Sequence, residues 1–127
     1  MIQFEDPAIR ETFKNVVNIG DIIERFKKSP IQFVGSGIYH PVYPLIPQED
    51  WDAQTEYWQG LGRHLLGRPT FEGFWPPEMG FTMEMIPMLK RHGYRYVLVD
   101  CWYIKPKREM RWEEKRYRPY IARYGGE

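Results

Sequence analysis

Three short apolar runs, 31–34 (IQFV), 71–75 (FEGFW) and 94–104 (YRYVLVDCWYI), alternate along this chain with segments of helical spacing. That alternation constrains the fold more than any other feature. Strands separated by helices argue for parallel β/α units. Near-continuous apolar strands fit a parallel sheet covered on both faces. In such folds, ligand sites lie beyond the carboxyl ends of the strands. Three clusters occupy those places here: residues 35–40, 75–78 and 100–102.

The intervening segments read as helices. Over 6–30, Phe13, Val16, Val17, Ile19, Ile22, Ile23 and Phe26 fall near i, i+3, i+4 spacing. Gly20 is an internal weak point and Pro30 ends that run. Segment 38–50 is a loop, because Pro41, Pro44 and Pro47 forbid a regular ladder or helix. A second helix is predicted over 50–66, with Trp51, Thr55, Trp58, Leu61 and Leu65 on one face. Gly67, followed by Arg68 and Pro69, ends it. The run 81–93 is a third helix, with Thr82 as N-cap and Gly93 at its stop. The prediction is α/β, with about three parallel β/α units. At 127 residues the chain suits one domain. It divides into a helical lead-in (1–30), β/α units (31–104) and a tail (105–127). Three strands cannot close a barrel, and an open sheet of that size is exposed at both edges.

Composition narrows the function less than the order of elements does. Five Trp, nine Tyr and seven Phe suit either a core of large rings or an aromatic-lined cleft. A formal net charge of +1 argues against a chain that binds nucleic acid or membranes by charge alone. The tail is the exception, with eight Lys/Arg and four Glu, interleaved with Trp112, Tyr117, Tyr120 and Tyr124. Such a mixture can grip a single strand of nucleic acid. Arg111, Lys115 and Arg118 also alternate with Glu113 and Glu114 at helical spacing, as a solvated face or docking helix does. The reading favours no nucleic-acid partner. Cys101 is a lone cysteine, the start lacks signal-peptide features, and no apolar run approaches a membrane span. A cytoplasmic protein without a membrane partner is therefore expected.

Chemistry concentrates at the strand ends. Glu78 is the only formal charge in GFWPPEMGF, pinned by Pro76 and Pro77 between Trp75 and Phe81, which can lower its surrounding dielectric. A nucleophile or general acid/base needs such placement. A glutamate favouring a helix N-terminus is the alternative. Asp100 is either a second carboxylate facing Glu78 or a turn cap. His40 suits a bond to a substrate hydroxyl or proton transfer, or is held by loop backbone. No His, Cys or carboxylate pair has metal-ligand spacing, and no GxGxxG, GxxxxGK[ST] or GxSxG pattern occurs. No metal or cofactor is expected.

At Trp75-Pro76-Pro77-Glu78 the chain resembles glycoside hydrolase family 57, α-glucan-acting enzymes built on an incomplete (β/α)7 barrel. That family's nucleophile motif is a tryptophan, two further residues and a glutamate at a strand end. MIPMLKRHGYRYVLVD is similar to the helix and strand that follow the motif, and GSGIYHPVYPLIP to the block before it. The resemblance spans about 31–127. It implies that Glu78 is the nucleophile of a retaining α-amylase, branching enzyme or glucanotransferase. His40 and Trp75 would line the sugar cleft, with Asp100 and Trp102 among the substrate-binding residues. The partner is an α-glucan or oligosaccharide. Retaining chemistry needs a second carboxyl group ~5 Å away. In the family that acid/base aspartate comes from a later strand, past the end of this chain. The chain then reads as an inner segment of a larger barrel, a truncation or half of a split enzyme, not competent alone. A second polypeptide completing the barrel, or a homo-oligomer, supplies the rest. The alternative is a non-catalytic carbohydrate- or protein-binding module that oligomerises through open sheet edges.

Overall fold

A computed structural model describes residues 6–14, 19–67 and 71–125, without the side chain of Ile19. Among the described residues the lead-in contains two helices, α1 (Pro7–Phe13) and α2 (Ile19–Lys28). Asp6 caps α1, accepting the backbone N–H groups of Ala8 and Ile9. Val16 and Val17, predicted to continue the helical face, lie outside the described residues, as do Arg68 and Pro69. Ile23 and Phe26 of α2 pack on the core, beside α3 (Trp51–Leu66).

The α3 helix forms where its period predicts. Trp51, Thr55, Leu65 and Leu66 are buried, and Gly67 ends it in the left-handed region with its N–H bonded to Arg63 O at 2.9 Å. The run 81–93 is shorter as an α-helix than its pattern predicts. It begins as a 3-10 turn, Met83–Met85, and becomes helical only over α4 (Ile86–Arg91). Thr82 stands at the N-cap, but its hydroxyl bonds the Glu84 carboxylate and caps no backbone N–H.

The sheet is smaller than predicted. Strands β1 (Gly73–Phe74) and β2 (Tyr96–Val97) pair in parallel, with Gly73 opposite Tyr96 and Phe74 opposite Val97. The predicted strand 31–34 forms no ladder; Gly35 alone makes a parallel bridge to Phe74. Its N–H donates to Gly73 O at 2.7 Å and its carbonyl accepts Trp75 N–H at 2.8 Å. At the carboxyl end of the sheet, Pro76 and Pro77 have no N–H to continue a ladder beyond Trp75. Gly35 must also pass so close beneath Tyr94 that a Cβ there would sit 2.0 Å from the tyrosine hydroxyl oxygen. The third predicted run shrinks too, since after Leu98 the chain turns into the 3-10 segment Cys101–Tyr103. Among the described residues the architecture is thus a helix-rich α/β unit with two parallel strands, and three full β/α units are not formed there. Among the described residues no helix is long and apolar enough to cross a membrane.

Large rings fill the core, which resolves one half of the compositional question. Trp51, Tyr43, Phe74 and Tyr94 contact in series edge-on, with centroids 6.2, 5.6 and 4.9 Å apart. The polar atoms of Trp51 and Tyr43 are satisfied in a short chain of bonds, whereas the buried Tyr94 hydroxyl has no hydrogen-bond partner among the described residues. Trp51 Nε1–H donates to Tyr43 O at 2.9 Å, and Thr55 Oγ1–H to Trp51 O at 2.9 Å. The Tyr43 hydroxyl then donates to Thr55 Oγ1 at 2.9 Å. Burial pushes the Tyr43 and Tyr94 hydroxyls up to about 12 each. Other rings, including Tyr39, Tyr57, Trp75 and Trp102, remain exposed.

A charged clasp joins α3 to the end of α4. Asp52 accepts from Arg91 at 2.8 Å and from His92 Nε2–H at 2.7 Å. Burial acts to raise Asp52, but the bonds from His92 and Arg91 outweigh it and hold the carboxyl below its ordinary 3.8.

Two outcomes follow from this packing. Gly35→Ala forces apart Gly35 and Tyr94, and a urea denaturation series should show a loss of about 1–3 kcal/mol. A stability unchanged within error would contradict the close approach. Because Asp52 titrates lower when folded, its stabilisation is complete above pH 3.8 and disappears as pH falls through the folded value. Urea midpoints measured across that acid range should fall less steeply for Asp52→Asn than for the natural chain.

Candidate functional site

Three segments run parallel, so the loops that follow Gly35, β1 and β2 leave one end of the sheet. His40 belongs to the first loop, Glu78 to the second, and Asp100 and Trp102 to the third. The first two loops are braced together. Beyond the Gly35 pairing, Ser36 Oγ–H donates to the Trp75 carbonyl at 2.9 Å. Trp75 itself is exposed, and the buried Pro76 and Pro77 anchor the turn behind it.

On that brace His40 Nε2 meets Glu78 Oε1 at 3.0 Å. An ionised carboxylate only accepts, so the imidazole nitrogen is the donor. The backbone at both ends of the bond is unusual. His40 (φ 55°), Glu78 (φ 54°) and Met79 (φ 52°) are the non-glycine residues in the left-handed region among those described. Each such residue costs roughly 1–2 kcal/mol relative to ordinary backbone. Strained side-chain-bearing positions of this kind collect at functional sites, because a particular side chain is held where glycine would be easier. Here all three fall on two loops, at the two ends of one hydrogen bond.

The surroundings are more open than the sequence predicts. The Glu78 and His40 side chains are 72% and 69% exposed. Phe81 does not wall off the carboxylate; it packs against the core. Two shallow clefts, of about 530 Å³ beside Arg108 and Glu114 and about 390 Å³ beside Tyr39 and Tyr57, are lined by neither Glu78 nor His40. Asp100 fills its alternative role, accepting the Trp102 N–H at 2.9 Å as the cap of the Cys101–Tyr103 turn. Trp102 leans on Trp112, with centroids 4.6 Å apart, and Arg116 lies 5.7 Å from the Trp112 ring. Trp112 begins α5 (Trp112–Arg116), where Glu114 bonds Arg108 at 2.6 Å and Arg118 at 3.0 Å. The helical spacing read in the tail is therefore real over these residues. No trio of His, Cys, Asp or Glu suited to a metal gathers among the described residues.

The sequence model of glycosyl hydrolase family 57 matches residues 2–126. The chain belongs to glycosyl hydrolase family 57. It is 28% identical over 131 residues to a 4-alpha-glucanotransferase of Thermococcus litoralis, covering 99% of this chain and 19% of that protein. An alpha-amylase of Pyrococcus horikoshii is 30% identical over 105 residues, covering 80% of this chain and 15% of its own length. A 4-alpha-glucanotransferase of Thermococcus kodakarensis is 31% identical over 105 residues, with the same coverages. This family 57 chain thus spans less than a fifth of each of these relatives. No solved structure matches it.

Of the residues named from sequence, His40 and Glu78 come together, Trp75 is exposed ahead of the same turn, and Asp100 and Trp102 are engaged elsewhere. Ser36 and Met79 went unnoticed as parts of the site; the GSG and EMG contexts were the available signal. If the left-handed turn is strained to place Glu78, then Glu78→Gly should raise stability by about 1 kcal/mol. Thermal or urea unfolding of that variant checks it; a loss of stability would argue that the side chain itself holds the turn.

Proposed function

We propose that this chain carries the nucleophile of a retaining α-glucan hydrolase or glucanotransferase, and that Glu78 is that nucleophile. The observation that carries the proposal is the His40–Glu78 hydrogen bond between two left-handed residues on adjoining loops of a family 57 chain. The names of the relatives, amylases and 4-alpha-glucanotransferases, support α-glucan as the substrate class.

In this reading His40 occupies one carboxylate oxygen and leaves the other to attack the anomeric carbon. The glycosidic C–O bond breaks, and an acid/base carboxyl group protonates the departing oxygen. A glycosyl ester on Glu78 remains. Water, or a sugar hydroxyl in transfer, then attacks the anomeric carbon, gives its proton to the same acid/base and releases the carboxylate. We assign that acid/base to a polypeptide segment outside these 127 residues, because Asp100 is occupied as a turn cap. Trp75 is assigned to the sugar-lined side of the site, on the strength of its exposure beside the same turn.

A fluorinated α-maltosyl fluoride tests Glu78 directly. Fluoride departs without protonation, so the first step needs no acid/base group. Mass spectrometry should find a glycosyl ester on the Glu78 peptide, absent in Glu78→Gln and formed about tenfold or more slowly in His40→Ala. Recovery of the intact natural chain with no label on Glu78 would overturn the proposal. Glucan affinity retained in that case would favour a carbohydrate-binding module instead.

A further inference from the structure

The cleft beside Tyr39 and Tyr57 takes no part in the chemistry above. It lies between the loop after Gly35 and α3, and its lining includes Tyr39, Glu56, Tyr57, Gly60 and His64. Positions 56, 60 and 64 are successive i, i+4 neighbours, and 57 stands one residue beside them, so they share a face of α3. The loop side is fixed by two bonds to one residue. Ile38 N–H donates to Gln54 O at 3.1 Å, and Tyr39 N–H to Gln54 Oε1 at 3.2 Å.

Three observations mark this groove as a place for a ligand. Tyr39 and Tyr57 are 74% and 69% exposed, far more than rings used for packing, such as Tyr43 at 0%. Gly60 lies inside α3, where glycine is the poorest helix former after proline. Unlike Gly62, whose Cβ would meet the Phe71 ring at 2.4 Å, a Cβ on Gly60 would meet nothing within 4 Å. Packing within the described residues therefore does not explain the glycine. Finally, Tyr39 precedes His40, so the groove begins one residue from the Glu78 pair.

We propose that this groove holds the non-reacting end of an α-glucan chain. Tyr39 and Tyr57 offer flat faces for the C–H surfaces of the sugar rings. Glu56 and His64 offer an acceptor and an imidazole for their hydroxyls. Gly60 forms the floor, leaving room for a ring that any side chain would fill. A carboxylate in the lining disfavours phosphate-bearing ligands and accepts hydrogen bonds from hydroxyls. The choice of an α-linked glucan rests on the function proposed above.

Titration of the 127-residue chain with maltoheptaose, followed by amide and aromatic NMR shifts, tests the proposal. Saturable shifts are expected at Tyr39, Tyr57 and Gly60. Tyr57→Ala should weaken binding about tenfold, and Gly60→Leu should weaken it as much without lowering the thermal midpoint. Tyr117→Ala, which removes an exposed ring of the tail instead, should bind within about twofold of the natural chain. Absence of saturable shifts, or shifts at these residues that survive both Tyr57→Ala and Gly60→Leu, overturns the groove. The two proposals fail separately. Glycosyl labelling of Glu78 without groove binding removes only the groove, whereas groove binding without labelling removes only the nucleophile.

Discussion

Everything at the candidate site depends on how closely one backbone passes another beneath Tyr94. Gly35 donates to Gly73 and accepts from Trp75, and it can do so only because no Cβ intrudes on the tyrosine above it. That one residue does the work of a whole strand. It sets the level of the first loop against the second, and Ser36 bonds the Trp75 carbonyl immediately afterwards. Together these contacts set the two loops that carry the left-handed residues His40 and Glu78 side by side, at hydrogen-bonding distance. The buried ring series from Trp51 to Tyr94 provides the rigid backing.

The helices were legible because their signals are local. The α3 helix starts within a residue of its predicted boundary, buries the predicted Trp51, Thr55 and Leu65, and stops at Gly67. The strands were over-read for a physical reason. An apolar run shows that residues avoid water, but ladder length depends on the partner. Here Pro76 and Pro77 stop that partner after Trp75. Phe33 illustrates the difference. Its apolar character is used, but against the Phe26 ring edge-on at 5.6 Å, not in a ladder.

The site shows the same division. Glu78 and His40 each stood out singly, one as an isolated charge among prolines and aromatics, the other in a proline-rich loop. Their pairing joins residues 38 positions apart and was not readable without the Gly35 bridge. The left-handed backbone was hidden too, since neither glutamate nor histidine announces a positive φ as glycine does. Asp100 was the opposite case. Local chemistry sufficed, because an aspartate that can accept the N–H two residues on commonly does so.

A carboxylate whose direction comes from its own turn, and from a neighbour 38 positions earlier, is a self-contained device. Its bearing is written into a stretch of fewer than fifty residues and does not wait for a surrounding wall to impose it. Any polypeptide that packs against this end of the sheet therefore meets a carboxylate already facing one way. The task left to that polypeptide is enclosure, not alignment.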